Sequence, residues 1–161
     1  MASASIPLSP ADAGEVLTLQ RAAYASEAQL YGDPFLPALT QKLHELRAEL
    51  TGPGLGIRND GRLVAAVRWT LTDGVAHIGR LTVAPDLQGH GLGTRLLREA
   101  EAAAAADGAT VFELFTGHLS IANIRLYERE GYAEFRREPL QPGVELVFLK
   151  KPAATPTPPS P

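Results

Sequence analysis

Apolar residues recur along this chain with two different periods, and each change of period marks a change of element. Ser9-Pro10-Ala11-Asp12 supplies a cap, a proline for the first helical position and an acid three residues past the cap. That combination predicts a helix running to about Ser26. After the turn signal Tyr31-Gly32-Asp33-Pro34, Leu39, Leu43, Leu46 and Leu50 fall at steps of four and three, predicting a second helix over 36–50 that Gly52-Pro53-Gly54 closes. The next runs, 55–58, 63–71 and 75–83, are separated by Asn59-Asp60-Gly61 and Thr72-Asp73-Gly74. Asp-Gly between such runs predicts tight hairpins, and therefore a three-stranded antiparallel meander. Helical spacing returns with Leu92, Leu96, Leu97, Ala100 and Ala103 or Ala104, opposed by Arg95, Arg98 and Glu99, and Asp107-Gly108 ends it. The five alanines from Ala102 to Ala106 fit a helix packed close to a sheet. A strand at 110–115, a short helix from Ser120 that Gly131 stops, and strands at 132–137 and 144–150 complete the pattern.

Composition narrows what these elements can serve. The 161 residues suit one domain, 1–151, large enough to bury about two thirds of its unfolded surface. Residues 152–161 hold five prolines without apolar periodicity and are expected to be a disordered tail. With no cysteine, disulfides, thiolate nucleophiles and Cys-ligated zinc are excluded, and no metal site is expected. A formal charge of −3 lacks the basic footprint of a nucleic-acid binder. No apolar run approaches the roughly 20 residues that span a bilayer, and the N-terminus has neither the charged nor the apolar region of a signal peptide. No nucleic-acid or membrane partner is therefore expected, and the chain reads as cytoplasmic.

Residues 83–94, Val-Ala-Pro-Asp-Leu-Gln-Gly-His-Gly-Leu-Gly-Thr, join a strand to a helix through three alternating glycines. Free N–H groups at a helix start, the helix dipole and the close approach that glycine permits make such a loop an anion site. It is not a dinucleotide fingerprint, because Gly89, Gly91 and Gly93 are spaced by two. Nor is it a Walker-type loop, since the segment has no lysine. A turn that binds nothing does not explain three glycines where Ser, Thr, Asn or Asp would cap better.

Here the chain resembles a known family. Gln88-x-x-Gly91-x-Gly93, preceded by Val83-x-Pro85, is similar to the acyl-CoA-binding motif of the GNAT superfamily of N-acetyltransferases. Asn123-Ile-Arg-Leu-Tyr127-Glu-Arg-Glu-Gly131-Tyr132 resembles that family's downstream Asn…Tyr segment, and the similarity covers about residues 5–150. The resemblance implies an α+β GNAT fold, a mixed central sheet with an antiparallel N-terminal meander flanked by about four helices. It also implies acetyl-CoA as acyl donor. The diphosphate is expected on the main chain of Gln88, Gly89, His90, Gly91, Leu92, Gly93 and Thr94, so side chains at 90 and 92 should matter less than bulk at 91 or 93. Leu81, Thr82 and Val83 are expected on a strand that splays from its neighbour and offers main-chain groups to the pantetheine arm and the acyl carbonyl. Asn123 would hydrogen-bond the donor, although it also suits a helix cap.

Asn123 and Tyr127, four apart, share a helix face. A phenol holds its proton at neutral pH and can give it to a leaving thiolate, so Tyr127 is the candidate general acid; a tyrosine sealing helix against sheet is the alternative. In some GNAT enzymes a glutamate eleven residues before the motif's first residue acts as base, and here that position is His77. On regular alternation His77 shares a strand face with Gly79, Leu81 and Val83. Glu113 and His118 are further candidates for the base. Tyr24, Glu27, Tyr31 and Asp33 could receive a cationic amine. The expected function is direct acetyl transfer to a primary amine, with no covalent enzyme intermediate; a non-catalytic acyl-CoA sensor is the alternative. The amine is not specified, and a homodimer is one option for the oligomer.

Overall fold

Both Asp-Gly pairs close two-residue hairpins. In the computed structural model, which describes residues 4–154, Asp60 and Gly61 have φ of 51° and 80°, and Asp73 and Gly74 have φ of 50° and 78°. Positive φ at both central residues matches the right-handed twist of the paired strands, and aspartate is among the few side chains that tolerate it. The turns join β2 (Gly54–Asn59), β3 (Arg62–Thr72) and β4 (Val75–Val83) into the predicted meander. A short strand without a sequence signal, β1 (Ser5–Pro7), adds to its edge by pairing with β2.

The helices depart from expectation where tertiary bonds intervene. A 3-10 turn at Pro10–Asp12 leads into α1 (Ala13–Tyr31), which runs five residues past Ser26 and stops at Gly32 in left-handed backbone. Its last turn is held from outside: the Tyr31 hydroxyl lies 2.7 Å from Ser120 Oγ and accepts the Leu119 N–H at 3.1 Å. The single helix predicted over 36–50 is two, α2 (Pro37–Thr40) and α3 (Leu43–Glu49). The break falls at Gln41, whose ψ is 133° and whose buried side chain accepts the Gln20 amide at 3.0 Å. Glu45 then accepts the Lys42 N–H at 3.1 Å and starts the next helix. Leu46 and Leu50 enter the core as expected, whereas Leu43 stays exposed.

The remaining elements are α4 (Leu92–Ala106), β5 (Val111–Gly117), α5 (Ile121–Arg129), β6 (Ala133–Gln141) and β7 (Val144–Pro152). The strands form one sheet in the order β1-β2-β3-β4-β5-β7-β6, antiparallel except between β4 and β5. The α+β class and the mixed sheet are as expected. β7 reaches Pro152, and the Ala153 N–H bonds to the Thr110 carbonyl at 2.9 Å, so the sheet takes in the first residues of the expected tail. Residues 155–161 of that tail lie outside the described residues.

β3 is buried at every position from Leu63 to Trp69, which requires cover on both faces of the sheet. Residues directly opposite each other on paired strands share a face. Arg68 meets Gln20 of α1 on one face. On the other, Val83, paired with Ala65, packs beneath Gly93 at the start of α4. Leu96, Leu97, Ala100 and Ala104 of α4 are fully buried, while Ala102, Ala105 and Ala106 face outward. The alanine run therefore lets the helix lie close to the sheet.

One irregularity changes the reading of β4. Ala66 pairs with Thr82 but Arg68 with Gly79, so Arg80 and Leu81 together oppose Val67. This is a β-bulge, with Arg80 in left-handed backbone at φ 53°. An extra residue reverses the alternation. His77 and Gly79 share the α1 face with Thr82, and Val83 lies on the α4 face. The expectation that His77 shares a face with Leu81 and Val83 is thus corrected, because it assumed an unbroken period of two.

Candidate active site

β4 and β5 pair only at Val75, Ala76 and His77 against Val111, Phe112 and Glu113. Beyond His77 the two strands part. β4 continues on β3 and β5 continues on β7, so from Ile78 to Val83 the edge of β4 toward β5 has no strand partner among the described residues. The bulge accompanies this divergence, as bulges add bend and twist to a strand. The resulting cleft has a volume of about 1030 Å³.

At one end of the cleft the glycine loop enters α4. Gly89 and Gly91 have φ of 83° and 82°, and a Cβ at either would meet no heavy atom within 4 Å. Glycine is there for its backbone and for the open space above it. The Leu87 N–H bonds to Ala84 at 2.9 Å and the Arg95 N–H to Gly91 at 3.0 Å. Between them, the N–H groups of Gln88 to Thr94 have no acceptor among the described residues. The Gln88 side chain donates to the Val83 carbonyl at 3.2 Å and ties the loop to β4. Asp86, the nearest acid in sequence, is gripped by both terminal nitrogens of Arg62 at 2.7 and 2.8 Å, which pulls its carboxyl pKa down to about 2. Such a row of free donors at the start of a fifteen-residue helix fits a diphosphate. The His90 ring turns back to 3.2 Å from the Leu87 carbonyl and does not line the cleft, so of that residue only the main chain is available.

Deeper in, α5 presents Asn123 and Tyr127 to the same cleft. Asn123 Nδ2 donates to the buried Thr116 hydroxyl at 3.3 Å, fixing α5 on β5. Tyr127 is 7% exposed, and its hydroxyl has no hydrogen-bond partner among the described residues. Burial, reinforced by Tyr24 and Glu27, raises its pKa well above the ordinary phenol value. Its ring packs edge-on against Tyr132, 6.0 Å between centroids. The Tyr132 hydroxyl donates to Glu101 at 2.6 Å, and Lys151 donates to the other oxygen of that carboxylate at 2.9 Å. Together these bonds hold α5 against α4 and β7.

Residues 19–132 match the sequence model of the acetyltransferase (GNAT) family. The chain belongs to this family. Among solved structures, its fold is similar to that of a putative acyl-CoA N-acyltransferase from Klebsiella pneumoniae, at 26% identity and a TM-score of 0.70, covering 96% of this chain and 99% of that one. It is also similar to PaiA N-acetyltransferase from Thermoplasma acidophilum in complex with coenzyme A, at 16% identity and a TM-score of 0.74, covering 93% and 99%. Ribosomal-protein-S18-alanine N-acetyltransferase from Escherichia coli is a third, at 19% identity and a TM-score of 0.72, covering 99% of both chains. No curated protein sequence matches significantly. The protein is a GNAT acetyltransferase.

The structure of this GNAT enzyme sorts the remaining candidates. His77 lines the cleft where β4 and β5 part, with its side chain half exposed and Nδ1 3.6 Å from Glu113 Oε2. That separation is too long for a hydrogen bond, but it places a carboxylate beside the imidazole. Leu81, Thr82, Val83, Leu92, Gly93 and Thr94 all border the cleft. His118 does not: its Nδ1 accepts the Glu145 N–H at 3.0 Å beneath the β6–β7 hairpin. Of the proposed acceptor wall, Tyr24, Glu27 and Tyr31 face the cleft, and Glu27 accepts the Ser120 hydroxyl at 2.6 Å. Asp33 lies outside it, holding Gln141 at 2.6 Å and the Phe35 N–H at 2.8 Å.

Two arginines on the α1 side were not singled out from the sequence. Arg68 is buried beneath the cleft, donating to Gln20 at 3.2 Å and Gln41 at 3.4 Å and pairing with Glu49 at 2.9 Å. Burial lowers its pKa, against the opposing pull of Glu49. Arg80 stands at the bulge. A charge within the apolar run Val64–Trp69, and a glycine at 79 inside a strand, were the available signals for both.

Proposed function

We propose that this enzyme acetylates a primary amine by direct attack, with Tyr127 as the proton donor to the leaving thiolate and His77 as the base that receives the amine proton. The observation that supports this reading most is the single cleft into which the free N–H row, Tyr127 and His77 all open. The donor, when bound, supplies an acetyl group activated as a thioester. The N–H groups from Gln88 to Thr94 hold its diphosphate, and the unpaired edge of β4 over Leu81, Thr82 and Val83 offers main-chain donors to the pantetheine arm and to the acyl oxygen. Asn123 adds a side-chain hydrogen bond from α5. Burial keeps the Tyr127 proton in place at neutral pH. Glu113 stabilises the charge that His77 acquires.

The test is CoA release over a panel of amines. Tyr127→Phe should lower kcat by about 10²- to 10⁴-fold and His77→Ala should lower kcat/KM for the amine, both with the acetyl-CoA Kd unchanged. An unaltered kcat in Tyr127→Phe overturns its assignment as the acid. Tight acetyl-CoA binding without turnover of any amine would point instead to a non-catalytic acyl-CoA sensor.

A further inference from the structure

On the α1 side of the cleft Glu27 and Glu49 both have partners among the described residues, whereas Arg80, beside Tyr24, has no acid opposite it there. Glu49 is paired with Arg68 at 2.9 Å, and Glu27 accepts the Ser120 hydroxyl at 2.6 Å. Arg80 lines the same cleft and forms no ion pair among the described residues; its guanidinium lies 5.8 Å from the centre of the Tyr24 ring on α1. Its backbone is costly as well. At φ 53° a residue with a Cβ is roughly 1–2 kcal/mol worse off than glycine. The bulge by itself would be served better by glycine or asparagine, so the geometry of the strand does not account for a long cation at this position.

We propose that Arg80 binds a carboxylate of the acceptor, so that the acetylated amine belongs to a free amino acid rather than to a lysine side chain or a protein N-terminus. A planar guanidinium meets a carboxylate through two parallel hydrogen bonds. The one charge of Arg80 matches the single charge of a carboxylate better than the double charge of a phosphate. Arg80 faces Tyr24 of α1, whereas the free N–H row opens at the start of α4 on the other face of the sheet, so the donor's phosphates and the acceptor's carboxylate meet different walls. Glu27 and Tyr31, across the same wall, are placed to receive the ammonium group. This inference rests on the acceptor being an amine, as proposed above.

The experiment uses the full chain with free amino acids, each beside its carboxamide and its decarboxylated amine, together with phosphoethanolamine and short peptides beginning with the same residues. The free acid should exceed its carboxamide in kcat/KM by about ten- to a hundred-fold. In Arg80→Gly that ratio should fall toward one, with the loss in KM for the acid and the acetyl-CoA Kd unchanged. Because glycine suits the left-handed backbone, the variant should melt no lower than the parent, which separates lost recognition from lost folding. Equal rates for acid, carboxamide and peptide, or a preference that survives Arg80→Gly, would overturn the proposal. So would an Arg80-dependent preference for phosphoethanolamine. If no amine is turned over, it is the reaction assigned above that fails. Calorimetry of the same acids on CoA-loaded protein then decides the Arg80 proposal separately: carboxylate-dependent binding abolished by Arg80→Gly supports it, and binding that is absent or indifferent to the carboxylate sinks it.

Discussion

Burial has two opposing effects on Tyr127. It holds the phenolic proton in place at neutral pH, and it makes the phenol a weaker acid, so the group can give its proton only to a strong base formed beside it. A leaving thiolate is such a base, and the loss on Tyr127→Phe should therefore appear in kcat. At the other end of the cleft the proposed binding of the donor falls to the main chain of the glycine loop. Gly91→Val should cost about 1–2 kcal/mol of stability for its positive φ and weaken acetyl-CoA by at least roughly ten-fold. His90→Ala, which removes a ring turned away from the cleft, should leave affinity within about two-fold. Calorimetric titration of the two variants checks this, and equal losses would mean that the His90 ring takes part.

Among the elements, those whose chemistry is local were the most legible. The Asp-Gly hairpins, the glycine turn into α4 and the one-turn spacing of Asn123 and Tyr127 depend on residues within a few positions of one another, and each has the expected backbone geometry. The helix over 36–50 was not legible as two, because the break at Gln41 depends on Gln20 and Arg68, which are distant in sequence. The length of α1 depends likewise on Ser120, 89 residues from Tyr31. The Gln20, Gln41 and Arg68 cluster is also where a small change should do most damage. Arg68→Ala strands two buried amides and should cost about 2 kcal/mol or more, read as a lowered denaturation midpoint. A midpoint within experimental error of the parent would show that water replaces the guanidinium there.

For the whole molecule, the charge network predicts a stability profile with two declining limbs. Tyr127 and Tyr132 both have pKa values raised chiefly by burial, so protonation is more favourable in the folded state than in the unfolded one. Their contribution is complete below the unfolded phenol pKa, about 10, and is lost as pH rises beyond it. On the acid side Arg98 lowers the pKa of Glu130, a contribution present above the ordinary carboxyl value of 4.5 and lost as pH falls below it. Thermal melts across pH should show both limbs. Tyr127→Phe, which removes a hydroxyl without a partner among the described residues, should flatten the alkaline limb, and an alkaline limb unchanged in that variant would contradict this account.

By itself the sequence determined most of the elements and their order, the glycine turn into α4 and the tyrosine on the last helix, because periodicity, capping and turn chemistry act between near neighbours. Only the tertiary structure decided which of these meet. A single extra residue at Arg80 reversed the faces of β4, placing His77 on the α1 side and Val83 under α4. Strand pairing carried His118 and Asp33 away from the cleft and brought Arg68 and Arg80 to it. Those outcomes rest on register between segments far apart in the chain, where one residue more or less sends a side chain to the opposite face.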